Sequence, residues 1–286
     1  MVVSVQKLQF RYPGHEREVL RGFDFDIHEG EIFGFLGPNG SGKSTTQKVL
    51  TGILPRYRGT VHIFGRELSA LDSDYYNHVG VSFEFPNLYE KLTAEENLKF
   101  YRDFFDVPTD EPRVLLETLD LPVGDKRRVG EFSKGMKMRL VLARSMINRP
   151  KLWFLDEPTT GQDPQHAVQI RDLIRARADD GVSVFLTTHD MNVADKLCDR
   201  VALINDGKIE IVDSPRALKM GRQRRVVRVE YTSESDGSAT EDFQLDEPAS
   251  KQAFLRAVES RDIATIHTLE PSLEDVFLSL TGRALT

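Results

Sequence analysis

Residues 32–45 read IFGFLGPNGSGKST, and this stretch decides the fold. Its opening, Ile32 to Leu36, continues a short apolar run from Glu31 and has the composition of a buried strand. The next eight residues, Gly37-Pro38-Asn39-Gly40-Ser41-Gly42-Lys43-Ser44, fit the pattern GxxxxGK[ST] without deviation. Ser44 to Leu54 then has helix-compatible composition. Strand, glycine-rich loop and helix in that order form a phosphate cradle. Glycines let backbone N–H groups turn inward without Cβ clashes. The helix N-terminus adds the positive end of its dipole. Lys43 supplies a charge for β- and γ-phosphates, and Ser44 a hydroxyl for Mg2+.

Such a loop needs a carboxylate at the end of a nearby buried strand. Leu152-Trp153-Phe154-Leu155-Asp156 supplies it. Asp156 is expected to hold Mg2+ through water. Glu157 follows at once and is placed to polarise an attacking water. Pro158 forces a turn there, which is compatible with the chemistry. Val182 to Thr187 is a second short run rich in large or β-branched residues, as in strands buried on both faces. Gln165 to Ala178 between them reads as a helix. The 26 residues separating Asp156 from Ser183 suit a parallel crossover.

Further out, Val2 to Phe10 reads as a valine-rich strand. Phe23-Asp24-Phe25-Asp26-Ile27 has the period-two alternation of a half-buried one. Val61 to Phe64 reads as another, closing an antiparallel N-terminal set. From Leu88 to about Arg149 the pattern is helical. Thr93 is an N-cap with Glu96 at N3, and Leu98, Tyr101 and Phe105 fall near one helix face. Composition shifts near Lys219. Arg222, Arg224, Arg225 and Arg228 cluster there. They could meet anionic lipid heads, but alternation with Val226, Val227 and Val229 favours a solvated strand face. Thr232 to Glu247 is polar and acidic and reads as a turn or mobile loop. Phe254, Leu255 and Val258 mark a helix, Ile263 to Thr268 a strand, and a last helix follows Pro271.

The whole chain has 286 residues, enough for one large domain or two modest ones. Its 40% apolar and 29% charged content is that of a folded chain rather than a disordered one. With 38 Lys and Arg against 45 Asp and Glu, the formal net charge of -7 argues against nucleic acid held by bulk charge. The single cysteine, Cys198, excludes an intrachain disulfide or a cysteine-based metal site, which fits a reducing compartment. No apolar run reaches the roughly 18 residues that cross a bilayer. MVVSVQKLQFRYPG has no basic start and long apolar stretch of a secretion signal. A cytoplasmic chain is expected, unless a partner holds it at a membrane.

Over about residues 1–215 the chain resembles the ATP-binding-cassette ATPases. Five features carry the resemblance, in the family's order: Tyr12, 25 residues before Gly37; GPNGSGKST, ending at Thr45; Ser133-Lys134-Gly135-Met136-Lys137 at the family's signature; LWFLDEPTTGQDP, with Glu157 and the D-loop around Asp163; and His189 in FLTTHD. The resemblance implies an α/β P-loop cassette with a mostly parallel core sheet, an antiparallel β subdomain and a helical subdomain at about 88–149. The cassette would span 1–219, with a small α+β accessory domain at 220–286. It implies ATP and Mg2+ as ligands, with the loop from Gly37 to Thr45 around the phosphates. Tyr12 would stack on adenine, although by itself it also reads as a turn residue before Pro13-Gly14. His189 would donate to the γ-phosphate and hold Glu157 and water. Ser133, Gly135 and Asp163 would meet ATP on a second, identical subunit, so that two ATPs lie between two chains.

Departures fall in three motifs. The family's Q-loop glutamine is absent, and Glu84 occupies its position, adding a carboxylate beside Asp156 and Glu157. Three such groups repel one another and can raise one pKa. In the signature, Lys134 replaces a glycine and Met136 a glutamine, while Gln162 stands in the D-loop where leucine is common. The SKGM form resembles drug, lipid and polysaccharide export subunits whose permease is a separate chain. The ending Glu270-Pro271-Ser272-Leu273-Glu274-Asp275-Val276-Phe277-Leu278 resembles the tail of antibiotic-export ATPases. Phe85, Pro86, Leu88, Tyr89 and Leu92 form an apolar patch, either a permease-docking surface or packing beneath the helical subdomain. The expectation is an ATPase subunit that drives a membrane permease from the cytoplasmic face, without nucleic acid. The alternatives are a ribosome- or DNA-directed cassette ATPase and a nucleotide-dependent switch.

Overall fold

The chain opens with antiparallel strands β1 (Val3–Phe10) and β2 (Leu20–Ile27). Phe23, Phe25 and Ile27 of β2 are buried and Asp24 is exposed, as the alternation requires. Val5 lies opposite Phe25 and Leu8 opposite Phe23, so β1 carries one extra residue between them. Lys7, with φ 52°, forms this bulge, and its N–H donates to Asp24 Oδ1 at 2.9 Å. The computed structural model describes residues 1–221, 226–231, 239–269 and 271–282. Arg222, Arg224, Arg225, residues 232–238 and Glu270 lie outside the described residues.

Next come β3 (Ile32–Leu36), α1 (Lys43–Leu50), β4 (Arg58–Ile63), β5 (Arg66–Glu67), α2 (Asp74–Asn77) and β6 (Val79–Ser82). The antiparallel sheet has the order β2-β1-β4-β5. β3 does not belong to it: all five residues are buried, and the strand joins the core sheet. The helical segment holds α3 (Ala94–Arg102), α4 (Pro112–Thr118) and α5 (Lys134–Met146). Thr93 and Glu96 form the expected capping box at α3. That helix ends at Arg102, so Phe105 lies beyond it rather than on its face. The chain continues through β7 (Leu152–Asp156), α6 (Pro164–Asp179), β8 (Ser183–Thr188), α7 (Met191–Leu197), β9 (Arg200–Asn205) and β10 (Lys208–Asp213).

The core sheet runs β10-β9-β3-β8-β7-β6, parallel throughout except for β10 at its edge. β3, β7 and β8 are buried at every residue, which explains their unbroken apolar runs. Phe35 packs on Phe25 and on Phe185 at 4.8 Å each, joining the antiparallel sheet to the core sheet through aromatic contacts. Phe185→Ala should therefore cost about 3–5 kcal/mol. Leu36 pairs with Thr188, and Asp156 with Thr187. This register lines up the carboxyl ends of β3, β8 and β7, where open α/β sheets bind their ligands.

The chain divides into two compact units, the first ending at Ser214 and the second beginning at Pro215. The second holds α8 (Pro215–Met220), β11 (Val226–Tyr231), β12 (Ala239–Gln244), α9 (Pro248–Ser260), β13 (Ile263–Leu269) and α10 (Leu273–Thr281). Its antiparallel sheet has the order β12-β11-β13. Val227, Val229, Tyr231, Phe243 and Ala257 form its core, with Phe254 of α9 against Phe243. β12 corrects the expectation of a turn or loop over 232–247. It is an edge strand with acidic exposed positions, and Phe243 is its one buried residue. Arg228 is on the solvated side of β11, paired with Asp242 at 2.7 Å. Among the described residues no helix is long and apolar enough to cross a membrane.

Candidate active site

A cleft of about 370 Å³ opens at the carboxyl ends of β3, β7 and β8. It gathers Tyr12, Asn39, Gly40, Gly42, Lys43, Ser44, Thr45, Glu84, Asp156, Glu157 and His189, residues drawn from five separate stretches of sequence. Tyr12 is anchored by its hydroxyl, 3.2 Å from Thr45 Oγ1, and by an edge-on contact with Phe10. The glycines at two loop positions are structural necessities. A Cβ at Gly37 would sit 2.2 Å from the Ile204 carbonyl oxygen. Gly42 caps α1 with φ 115°, and a Cβ there would meet Leu20 at 2.7 Å. Lys43 Nζ donates to the carbonyls of Gly37 and Pro38 at 2.7 and 3.1 Å. Ser41 Oγ is buried and, among the described residues, without a hydrogen-bond partner, so a polar group remains to be satisfied inside the loop.

The electrostatics turn on three buried charges. Burial pushes the Lys43 ammonium below its ordinary pKa, while Glu157, Asp156 and Glu84 hold it up. Asp156 is shifted upward, chiefly by burial and further by the Glu157 charge. Hydrogen bonds from Thr187 and Ser44, and the charge of Lys43, oppose that shift. The crowding anticipated for three carboxylates thus falls on Asp156 and comes from burial and Glu157. Glu84 is exposed and, among the described residues, has no hydrogen-bond or ion-pair partner. Glu157 is 7% exposed and backbone-strained, with φ 51°. Its Oε1 faces His189 Nδ1 at 2.7 Å and accepts from His189 N–H at 2.9 Å. Its Oε2 accepts from Thr160 and Thr188 hydroxyls, both at 3.1 Å.

A divalent cation would fit beside Ser44 and Asp156, whose oxygens approach to 3.3 Å. Among the described residues no three His, Cys, Asp or Glu side chains converge as a metal site. The donor set therefore suits a hard ion completed by phosphate and water oxygens.

Ser133, Gly135 and Asp163 are not in the cleft. They group with one another instead. Ser133 is exposed and caps α5, accepting from Met136 N–H at 3.2 Å. Gln162 Nε2 donates to the Gly135 carbonyl at 3.3 Å. Asp163 caps α6 by accepting from His166 N–H at 3.1 Å. Thr160, Thr187 and Thr188 were not anticipated as site residues. The only sequence signal for the last two was their place immediately before His189.

The ABC transporter family profile matches residues 20–160, and a profile described as the fluoroquinolone efflux ABC transporter C-terminal domain matches 225–270. A fluoroquinolones export ATP-binding protein of Mycobacterium tuberculosis is 48% identical over 100% of this chain and 95% of its own length. A Nod factor export ATP-binding protein of a Rhizobium species is 36% identical over 94% of both chains. Among solved structures, an ATP-binding cassette captured as a dimer in a post-hydrolysis state with ADP and Pi superposes with TM-score 0.67. It is 26% identical and covers 74% of this chain and 98% of its own.

Proposed function

The chain belongs to the ABC transporter family of ATP-binding subunits, and on that premise we propose that it hydrolyses Mg-ATP as half of a homodimer that drives export through a separate membrane permease. One observation carries the catalytic part of this reading. Glu157 is buried beside the phosphate loop and fixed by His189, Thr160 and Thr188, a base held in one orientation.

In this reading Lys43 and the N–H groups of the loop bind the β- and γ-phosphates, and Tyr12 offers its ring to adenine. Mg2+, held by Ser44, Asp156 and Glu84, would neutralise phosphate charge. Glu157 accepts a hydrogen bond from the attacking water and aims it in line with the γ-phosphorus. The bond to the bridging oxygen breaks as the new P–O bond forms, leaving ADP and phosphate. Ser133, Gly135 and Asp163, which lie outside the cleft, act on the partner's nucleotide. Export, with a drug or antibiotic as cargo, is supported by the relatives named above, one of them a fluoroquinolones export protein; a lipid-like cargo is the further reading of the SKGM signature. Those relatives are export subunits, which favours transport over a ribosome- or DNA-directed role. We read residues 1–219 as the ATPase domain, with its helical part at 88–149, and 220–286 as an accessory domain. The unit boundary at Ser214 and the profile match at 225–270 support that division. The permease would hold the chain at the cytoplasmic face of the membrane, and the exposed Phe85 and Tyr89 suit such a contact.

Turnover measured against protein concentration tests the reading. Activity should rise more than linearly and vanish in Glu157→Gln; turnover strictly proportional to concentration would count against paired sites. Glu84→Gln should raise the Mg2+ concentration needed for half-maximal turnover by about threefold, through loss of one carboxylate that attracts the cation. An unchanged Mg2+ titration would remove Glu84 from the metal site.

A further inference from the structure

His166 was not among the expected site residues, yet it occupies a bridging position. Its Nδ1 lies 2.5 Å from Asp163 Oδ2 and its Nε2 3.1 Å from Asp120 Oδ2. Asp163 belongs to the D-loop at the start of α6, and Asp120 follows α4 in the helical segment. The ring is 19% exposed, while the two carboxylates are 56% and 71% exposed. We propose that His166 is a positioning residue that fastens the D-loop carboxylate to the helical subdomain through its two ring nitrogens. This inference rests on the reading of Asp163 as part of a site completed on a partner chain.

The charged groups around the ring are Asp163 on α6, Asp120 after α4, and Arg139 on α5. Arg139 Nη1 stands 3.8 Å from Asp120 Oδ2. Among the described residues, Arg139 Nη1 and Nε have no hydrogen-bond partner. Arg139 therefore attracts Asp120 without hydrogen-bonding it, and leaves Oδ2 to His166. The Asp163 carboxyl is held below the ordinary range, first by the His166 backbone N–H and then by the ring.

A second tie runs in parallel. Gln162 donates to the Gly135 carbonyl, which the leucine common at that position could not do. Lys134 lays its stem along Gly161, with Cε 3.7 Å from where a Cβ would stand. Two residues that depart from the family pattern, Lys134 and Gln162, thus each reach across between the D-loop and the signature. Together the ties make the surface that meets a partner one body rather than two loops.

The test uses the full chain with His166→Ala and Asp120→Asn. Asparagine keeps an acceptor for the ring and tolerates the positive φ of residue 120. His166→Ala should lower kcat about fivefold with KM for ATP within about twofold. Amide exchange of residues 161–163 in the protein without nucleotide should accelerate about fivefold. Asp120→Asn, which keeps the acceptor, should leave these amides near the wild-type rate. D-loop amides that exchange at the wild-type rate in His166→Ala overturn the proposal, whatever the kinetics show. A chain without ATP turnover would sink the motor reading and still leave the exchange measurement to decide the tie.

Discussion

The cleft at the strand ends and the surface around residues 133–135 and 161–163 are held in opposite ways. In the cleft, Glu157 is 7% exposed and receives hydrogen bonds from three residues, and Lys43 is buried against loop carbonyls. At the other surface Ser133 and Asp163 are exposed, each donor or acceptor is spent on capping its own helix, and single side-chain bonds join the parts. The first region is complete within the chain. The second carries the capped N-termini of α5 and α6, which in the proposed dimer would meet a phosphate that this chain does not itself hold. The contrast fits the proposed sharing of sites between two chains.

The contrast can be broken most severely at Glu157. Glu157→Gln should reduce turnover about a thousandfold while leaving ATP affinity near wild type, read by phosphate release and nucleotide titration. Comparable loss of binding would mean that the cleft fails as a unit and not at one base. Ser133→Ala should lower kcat about tenfold without weakening ATP binding to the isolated chain, since Ser133 is not in the cleft. Weakened binding in the monomer would erase the distinction between the two regions. A subtler effect lies in stability. The raised pKa of Asp156 means that its charged form opposes folding above the ordinary carboxylate range. Asp156→Asn should therefore raise Tm without nucleotide by on the order of 2 °C at pH 7. The gain should shrink as pH falls and the wild-type carboxyl takes up its proton; a gain independent of pH would assign it to packing instead. Least of all is expected from Arg228→Ala, which breaks an exposed pair with Asp242 and should leave Tm unmoved within error.

The cleft was legible in the sequence because its parts are local. Gly37 to Thr45, Asp156-Glu157 and His189 each follow a strand buried on both faces, and such strands announce themselves as unbroken apolar runs. β12 was not legible, because an edge strand with Thr240, Glu241 and Asp242 exposed has the composition of a loop. β3 carried a clear strand signal but no sign of which sheet it joins, since sheet membership is decided by partners far along the chain. The same holds for His166. Its bond to Asp120 spans 46 residues, and the Gln162 bond to Gly135 spans 27. No local pattern encodes either, although the unusual residues at 134 and 162 marked where to look.

The central claim is that each chain holds one complete nucleotide cleft and lends a second surface to its partner's. Sedimentation of Glu157→Gln with ATP, alone and combined with Ser133→Ala, tests it most directly. The account predicts a dimer for the single variant, which binds ATP and cannot release it by hydrolysis, and a monomer for the double variant. A single variant that stays monomeric at saturating ATP, or a double variant that dimerises equally well, would contradict it.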